Sequence, residues 1–214
     1  MLKTAYIGLV AVAFAAALLA GCGGAGAASR GQSVFNTCVP CHGANGGGIQ
    51  RLRTPAIAGL PEWYIARELH NFATDVRGAH PDDAEGARMR PMARTLWHPG
   101  DLDAVAKYVA AMPAVPAPRT MPAGNVADGQ TRFSSICQTC HGADAKGNET
   151  LGAPKLVGQW DWYMVAQLKK FHSGMRGAND ADSMGAQMRA MSLTLEDTVA
   201  VHNVVSYIQT LPTH

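Results

Sequence analysis

The sequence is poor in aromatic side chains, with 7% Phe, Trp and Tyr set against 23 glycines. Two cores of about 100 residues each are hard to fill with so few large rings. Charge is also sparse, at 16%, and nearly balanced at +2. That excludes a highly charged disordered chain and leaves no basic footprint for nucleic acid. Cysteine is limited to five residues, an odd number, so a framework built only of internal disulfides is excluded. A length of 214 residues allows one large domain or two small ones.

The first residues read as an export signal. Lys3 is the sole charged side chain in residues 1–21, and an apolar run from Ala5 to Ala20 follows it. A short positive segment before an apolar stretch of this kind marks a secretory leader. The run ends in Leu19-Ala20-Gly21-Cys22, which resembles the lipobox of bacterial lipoproteins. That resemblance implies cleavage before Cys22, lipid on Cys22, and a short tether over residues 22–29. The chain is then expected on the periplasmic side, anchored to a membrane, and four cysteines remain.

Those four belong to an internal repeat. At an offset of 99 residues, Cys38, Cys41 and His42 match Cys137, Cys140 and His141. Pro55/Pro154, Gly59/Gly158, Trp63/Trp162, Tyr64/Tyr163, Phe72/Phe171, Arg77/Arg176, Met89/Met188, Met92/Met191 and Tyr108/Tyr207 keep the same register. Two copies of one small domain therefore follow each other, over residues 30–112 and 125–214. The seam at 113–124 holds Pro113, Pro116, Pro118 and Pro122, too many for a helix and suited to an extended linker. Each copy lies at the marginal end for a core made of protein alone.

The pattern predicts an all-α chain. Leu102, Val105, Ala106, Val109 and Met112 recur at helical spacing, as do Val201, Val204, Val205, Ile208 and Leu211. Asp101 is placed as N-cap of the first of these helices, and Thr194 with Asp197 as a capping-box-like pair before the second. Residues 61–73 and 160–172 read as a middle helix. The Gly-rich stretch 43–48 reads as loop, and no run alternates with period two.

Cys38-Val39-Pro40-Cys41-His42 and Cys137-Gln138-Thr139-Cys140-His141 both fit C-x-x-C-H, the c-type haem attachment pattern. Two thiols three positions apart can each reach one vinyl group of a porphyrin, and the next histidine then lies beneath the iron. A redox disulfide has no use for the trailing histidine, and two pairs split between repeats make a poor zinc site. The second axial ligand sets the chemistry. His70, His80, His98, His172, His202 and His214 have no histidine counterpart in the repeat, and are expected on surfaces or helix faces. Among ten methionines only Met89/Met188 and Met92/Met191 recur, and the repeat preserves both pairs equally. A methionine thioether favours ferrous iron and raises the potential.

The chain resembles the dihaem cytochromes c of the c-four type, two class I domains in tandem, over residues 30–214. The segments that carry the likeness are Gly31-Gln32 through Gly43, Leu156-Val157-Gly158-Gln159, and Gln167-Leu168 with Phe171. The resemblance implies two covalent haems c and a ligand methionine seven residues before the leucine that leads into the last helix. Counting back from Leu96 and Leu195 gives Met89 and Met188, with Met92 and Met191 as alternatives packed near the haem. It also implies that the carbonyls of Pro55 and Pro154 accept the proximal imidazole N–H. Tyr64 and Tyr163, with Trp63 and Trp162, are expected to cover haem and reach a propionate or a backbone group. Arg77 and Arg176 are expected to be exposed. The first copy departs from the pattern, with Ala58-Gly59-Leu60 where the family has Gly-Gln.

The expected function is single-electron transfer between a membrane-associated donor, such as a quinol-oxidising complex, and a terminal oxidase or reductase. The chain would serve as a tethered carrier or a complex subunit rather than an enzyme. The alternative is a dihaem peroxidase or substrate-oxidising enzyme with one open iron. Near-zero net charge predicts weak long-range steering, so docking would rest on apolar patches.

Overall fold

The computed structural model describes residues 30–213. Cys22, the leader and His214 therefore lie outside the described residues. Helix α1 covers residues 30–35, and the short α2, Val39–His42, carries the first cysteine motif. A 3₁₀ turn at Gln50–Leu52 is followed by α3 (Glu62–Ala73), α4 (Ala84–Arg94) and α5 (Asp101–Ala111). The second half repeats this order. Helix α6 (Val126–Arg132) runs through a π turn at Phe133–Cys137 into α7 (Gln138–His141), and α8 (Asp161–His172), α9 (Ser183–Ser192) and α10 (Thr198–Ile208) follow. Among the described residues there is no strand, only the isolated bridges Ile49–Thr54 and Asn148–Ala153.

In each half the first helix crosses the last at close range, and glycine makes the crossing possible. A Cβ on Gly129 would collide with the Asn203 carbonyl of α10, and one on Gly31 with the Ala104 carbonyl of α5. Aromatic pairs then lock the two crossings. Phe35 meets Tyr108 at 5.5 Å between ring centroids, and Phe133 meets Tyr207 at 5.4 Å.

The protein-only cores differ. The second half buries Phe133, Val157, Met164, Val165, Leu195 and the apolar face of α10 in one cluster. The corresponding cluster of the first half holds only Phe35, Val105 and Val109 as fully buried members. A domain of this size lies at the marginal end for a core made of protein alone, and the first half has the smaller cluster.

Two cap assignments need correction. Gly100, with φ of 84°, is the N-cap of α5, because Asp101 is already helical and its carboxylate is taken by Arg30 Nε at 2.6 Å. Asp197 is the N-cap of α10 through Ala200 N at 2.8 Å. Thr194 turns back instead, its hydroxyl donating to Met191 O at 2.7 Å at the end of α9. Helices α4 and α9, which carry the recurring methionines, have no counterpart among the periodic segments of the sequence. Each starts on an aspartate cap, Asp83 to Gly86 N at 2.9 Å and Asp182 to Gly185 N at 2.8 Å.

Residues 113–125 contain no helix. They are laid against the second half, with Ala117 N donating to Gly158 O at 2.9 Å. Asp161, the first residue of α8, accepts from the Thr120 amide at 2.6 Å, the Thr120 hydroxyl at 2.7 Å and the Met121 amide at 2.7 Å. Burial pushes the Asp161 carboxyl up, but these donors outweigh it and hold the group below the ordinary aspartate range.

Candidate haem sites

Both C-x-x-C-H motifs lie on a single helical turn closed by a glycine with positive φ, Gly43 at 80° and Gly142 at 79°. That turn puts the two thiols and the histidine on adjacent positions of one short helix and sends the chain away beyond it. All four motif cysteines are free thiols. Burial raises the pKa of Cys38 and pushes Cys137 up to about 11. A redox-active pair needs the opposite shift, toward thiolate.

The histidines are set up as ligands. His42 Nδ1 lies 3.0 Å from the Pro55 carbonyl, and His141 Nδ1 lies 2.9 Å from the Pro154 carbonyl. A proline carbonyl can only accept, so the proton sits on Nδ1. Burial is the larger influence on each ring and lowers its pKa, the proline contact opposing it in part. The imidazole is therefore neutral at neutral pH, with an unprotonated Nε2 free to bind a metal. The loop between histidine and proline is kept by further bonds. Thr54 donates its hydroxyl to Cys41 O at 2.5 Å, and Gly48 and Gly147 donate to the His42 and His141 carbonyls at 2.9 Å.

Met89 and Met188 are half-buried on α4 and α9, whereas Met92 and Met191 stand 39% and 43% exposed. His70, His80, His98 and His172 are exposed and His202 is half-buried.

The largest departure from the sequence reading lies between the two halves. Arg77 and Arg176 are not exposed: they are 8% and 9% accessible and meet at a buried polar network. Arg77 donates to Glu68 Oε2 at 2.6 Å, to the Tyr163 hydroxyl at 3.1 Å and to Gln167 Oε1 at 3.0 Å. Arg176 donates to Gln167 Oε1 at 2.9 Å and to the same Glu68 Oε2 at 3.0 Å. Each guanidinium also lies over a ring of its own half, Phe72 or Phe171, at 4.5 Å. Glu68 and Gln167 occupy equivalent positions in the repeat, so one carboxylate serves two cations. Burial pushes Glu68 up, but Arg176, Arg77 and Arg67 outweigh it and leave the group ionised well below the ordinary carboxylate range. Tyr64 is half-buried beside this cluster, and its loss of hydration raises its pKa further from neutrality.

Other contacts join the halves. Gln159 spans them with both ends of its amide, accepting from Ala56 N at 3.1 Å and donating to Ala56 O at 2.8 Å. Its counterpart Leu60 could make neither bond, so this departure of the first copy leaves a one-way strap. Trp160 Nε1 donates to Gly47 O at 2.8 Å, and Arg67 to Gly152 O at 3.1 Å.

Three buried donors, Trp162 Nε1, Arg176 Nε and Arg189 Nε, find no acceptor among the described residues. Buried donors are rarely left unmatched. Unmet N–H groups, paired free thiols, a free Nε2 and an underfilled core together fit a porphyrin that carries two carboxylates.

The chain belongs to the cytochrome c family: the family model "Cytochrome c" matches residues 28–113 and again 126–212. Within that family it is a tandem dihaem protein with two covalent haems c, homologous to cytochrome c4. It is 30% identical over 199 residues to cytochrome c4 of Azotobacter vinelandii, covering 87% of this chain and 90% of the relative. It is 33% identical over 171 residues to the thiosulfate dehydrogenase electron acceptor of Thiomonas intermedia, covering 75% and 72%. Among solved structures, reduced cytochrome c4 from Pseudomonas stutzeri superposes with a TM-score of 0.66 at 28% identity, over 86% of this chain and 98% of that one. The protein is a cytochrome c4-like electron carrier.

Proposed function

We propose that the protein carries single electrons between a membrane-associated donor, such as a quinol-oxidising complex, and a terminal oxidase or reductase on the periplasmic side. Haem c, when bound, supplies the one-electron chemistry, and the chain supplies ligation, a dry pocket and docking faces. Cys38 and Cys41 attach one haem and Cys137 and Cys140 the other. His42 with Met89, and His141 with Met188, would hold the two irons. Pro55 and Pro154 would orient the imidazoles, Tyr64 and Tyr163 would lie near the propionates, and Arg176 would offer them its unpartnered Nε. The two domains span 30–112 and 125–214, joined by the linker at 113–124. Cys22 bears the lipid that holds the carrier at its membrane. Among the described residues no helix is long and apolar enough to cross one.

The observation that carries this reading is the buried histidine of each half, held by its Nδ1 on a proline carbonyl at 3.0 and 2.9 Å, with a half-buried methionine recurring in each half. A site closed by histidine and methionine exchanges electrons and leaves no iron position for a substrate. The exposed ring of Trp97, 72% accessible and stacked on His98 at 3.6 Å, supplies an apolar contact for a redox partner. The relatives favour a carrier over a peroxidase, since one of them is itself described as an electron acceptor. Stopped-flow mixing separates the two. The reduced protein should be oxidised by respiring membranes, more slowly after Trp97→Ala, and should not turn over peroxide. Rapid peroxide reduction by the unmodified protein would overturn the reading.

A further inference from the structure

Lys170 projects from α8 of the second half and is buried against the first. Its ammonium is bonded to the Asp83 carboxylate and lies 2.8 Å from Glu85 Oε2. The side chains of Lys170 and Asp83 are 11% and 3% accessible. Asp83 is the N-cap of α4, and Glu85 sits in the first turn of that helix, four residues before Met89. Arg53 holds the other oxygen of Glu85 at 2.6 Å. The far end of α4 is fixed inside its own half, with Arg90 Nε and Arg94 Nη2 each 2.5 Å from Asp75. Only the end that leads to Met89 is fastened from outside.

The repeat gives an internal control. The positions equivalent to Lys170 and Glu85 are Asn71 and Met184, so α9 has neither the cation nor the second acid. Among the described residues Asp182 caps α9 with no basic side chain within ion-pair distance. Two helices with the same cap and the same methionine spacing thus differ at the end before the first methionine, where α4 alone has a lysine supplied by the neighbouring domain and a second acid to receive it.

We propose that Lys170 is a positioning residue that fixes the methionine helix of the first domain, so that retention of Met89 on its iron depends on the second domain. This rests on the assignment of Met89 as ligand. A buried ammonium that bridges a helix cap and a first-turn carboxylate restrains the cap, and the turn that bears Met89 follows directly. Thermal opening of the methionine contact is then rarer in the first domain than in the second.

The test is displacement of methionine by cyanide in the ferric full-length holoprotein, followed as loss of the methionine–iron band. The two phases are assigned with Met89→Ala and Met188→Ala, each of which removes one. In the unmodified protein the first-domain phase should be the slower. Lys170→Met should accelerate it at least tenfold and leave the second-domain phase within a factor of two, and Lys170→Arg should restore most of the difference. Glu85→Gln, at a more exposed position, should accelerate the same phase by a smaller factor and serves should Lys170→Met not fold. Unchanged phases, or equal acceleration of both, would overturn the proposal. If Met89→Ala left both methionine bands in place, the ligand assignment itself would fail, a result distinct from an unresponsive Lys170→Met.

Discussion

Replacing Glu68 with alanine will cost about 3–5 kcal/mol of stability, the usual consequence of removing one partner from a buried ion pair. The loss arises because two guanidiniums, Arg77 and Arg176, converge on one oxygen of Glu68 at 2.6 and 3.0 Å in a space closed to water. Without the carboxylate they face each other with only the Gln167 oxygen and the Tyr163 hydroxyl between them. Glu68→Gln keeps an acceptor but no charge and should lose less. Replacing Glu68 and Arg77 together by leucine should cost less than the sum of the single changes, because one of the two stranded charges disappears and Arg176 keeps the Gln167 oxygen. Guanidinium-induced unfolding of the holoprotein, read at the midpoint, measures all three. An E68A protein as stable as the parent would mean that the network contributes nothing to holding the halves together.

The same interface sets an acid limit. Burial pushes the Glu85 carboxyl up, but hydrogen bonds from Lys170 and Arg53 outweigh it and bring the group to about 2, against an ordinary 4.5. A carboxyl depressed in the folded state stabilises fully above its unfolded value. That contribution is present above about pH 4.5 and is lost as pH falls toward 2. Glu68, also depressed, acts in the same direction. Thermal unfolding followed from pH 6 down should therefore show a falling midpoint beginning near the ordinary carboxylate range, and Glu85→Gln should flatten that slope.

Met188→Ala is the second large expected effect. Loss of the thioether should abolish half of the methionine–iron band, leave an open or water-filled position, and confer peroxide reactivity that the parent lacks. The potential of that centre should fall by on the order of 0.1–0.2 V, within the roughly 0.8 V over which axial ligands set haem potentials. Met191→Ala should retain the band, since the count back from Leu195 places the ligand at Met188. If the band followed Met191 instead, the sequence count back from Leu195 would have chosen the wrong residue of the pair.

How much of this was legible in the chain differs by element. The cysteine motifs, the tandem repeat and helices α3, α5, α8 and α10 can be read directly, because a spacing or an apolar stripe marks each. Helices α4 and α9 cannot. The first reads AEGARMRPMAR, with a glycine and a proline inside it and arginines on several sides, so no periodic apolar face announces it. It is helical because Asp83 caps it and because its arginines pair with Asp75 and the Leu52 carbonyl. The burial of Arg77 and Arg176 was equally hidden. An arginine next to a glycine looks like a surface turn until the second domain supplies Gln167, Tyr163 and a shared Glu68. What sequence pattern describes well is each domain by itself. The contacts between the domains depend on which side chains differ between the copies, Glu68 from Gln167, Gln159 from Leu60 and Lys170 from Asn71, and those differences have no periodicity to reveal them.

The central claim is that each half closes a haem iron with one histidine and one methionine. The most direct test is the visible spectrum of the purified ferric protein, with the haem content counted per chain. Two haems c per chain, both low-spin, with a methionine–iron band of twice the single-site intensity, is the expected result. A high-spin component, or a band of only one site's intensity, would contradict it and turn the reading toward an enzyme with one open iron.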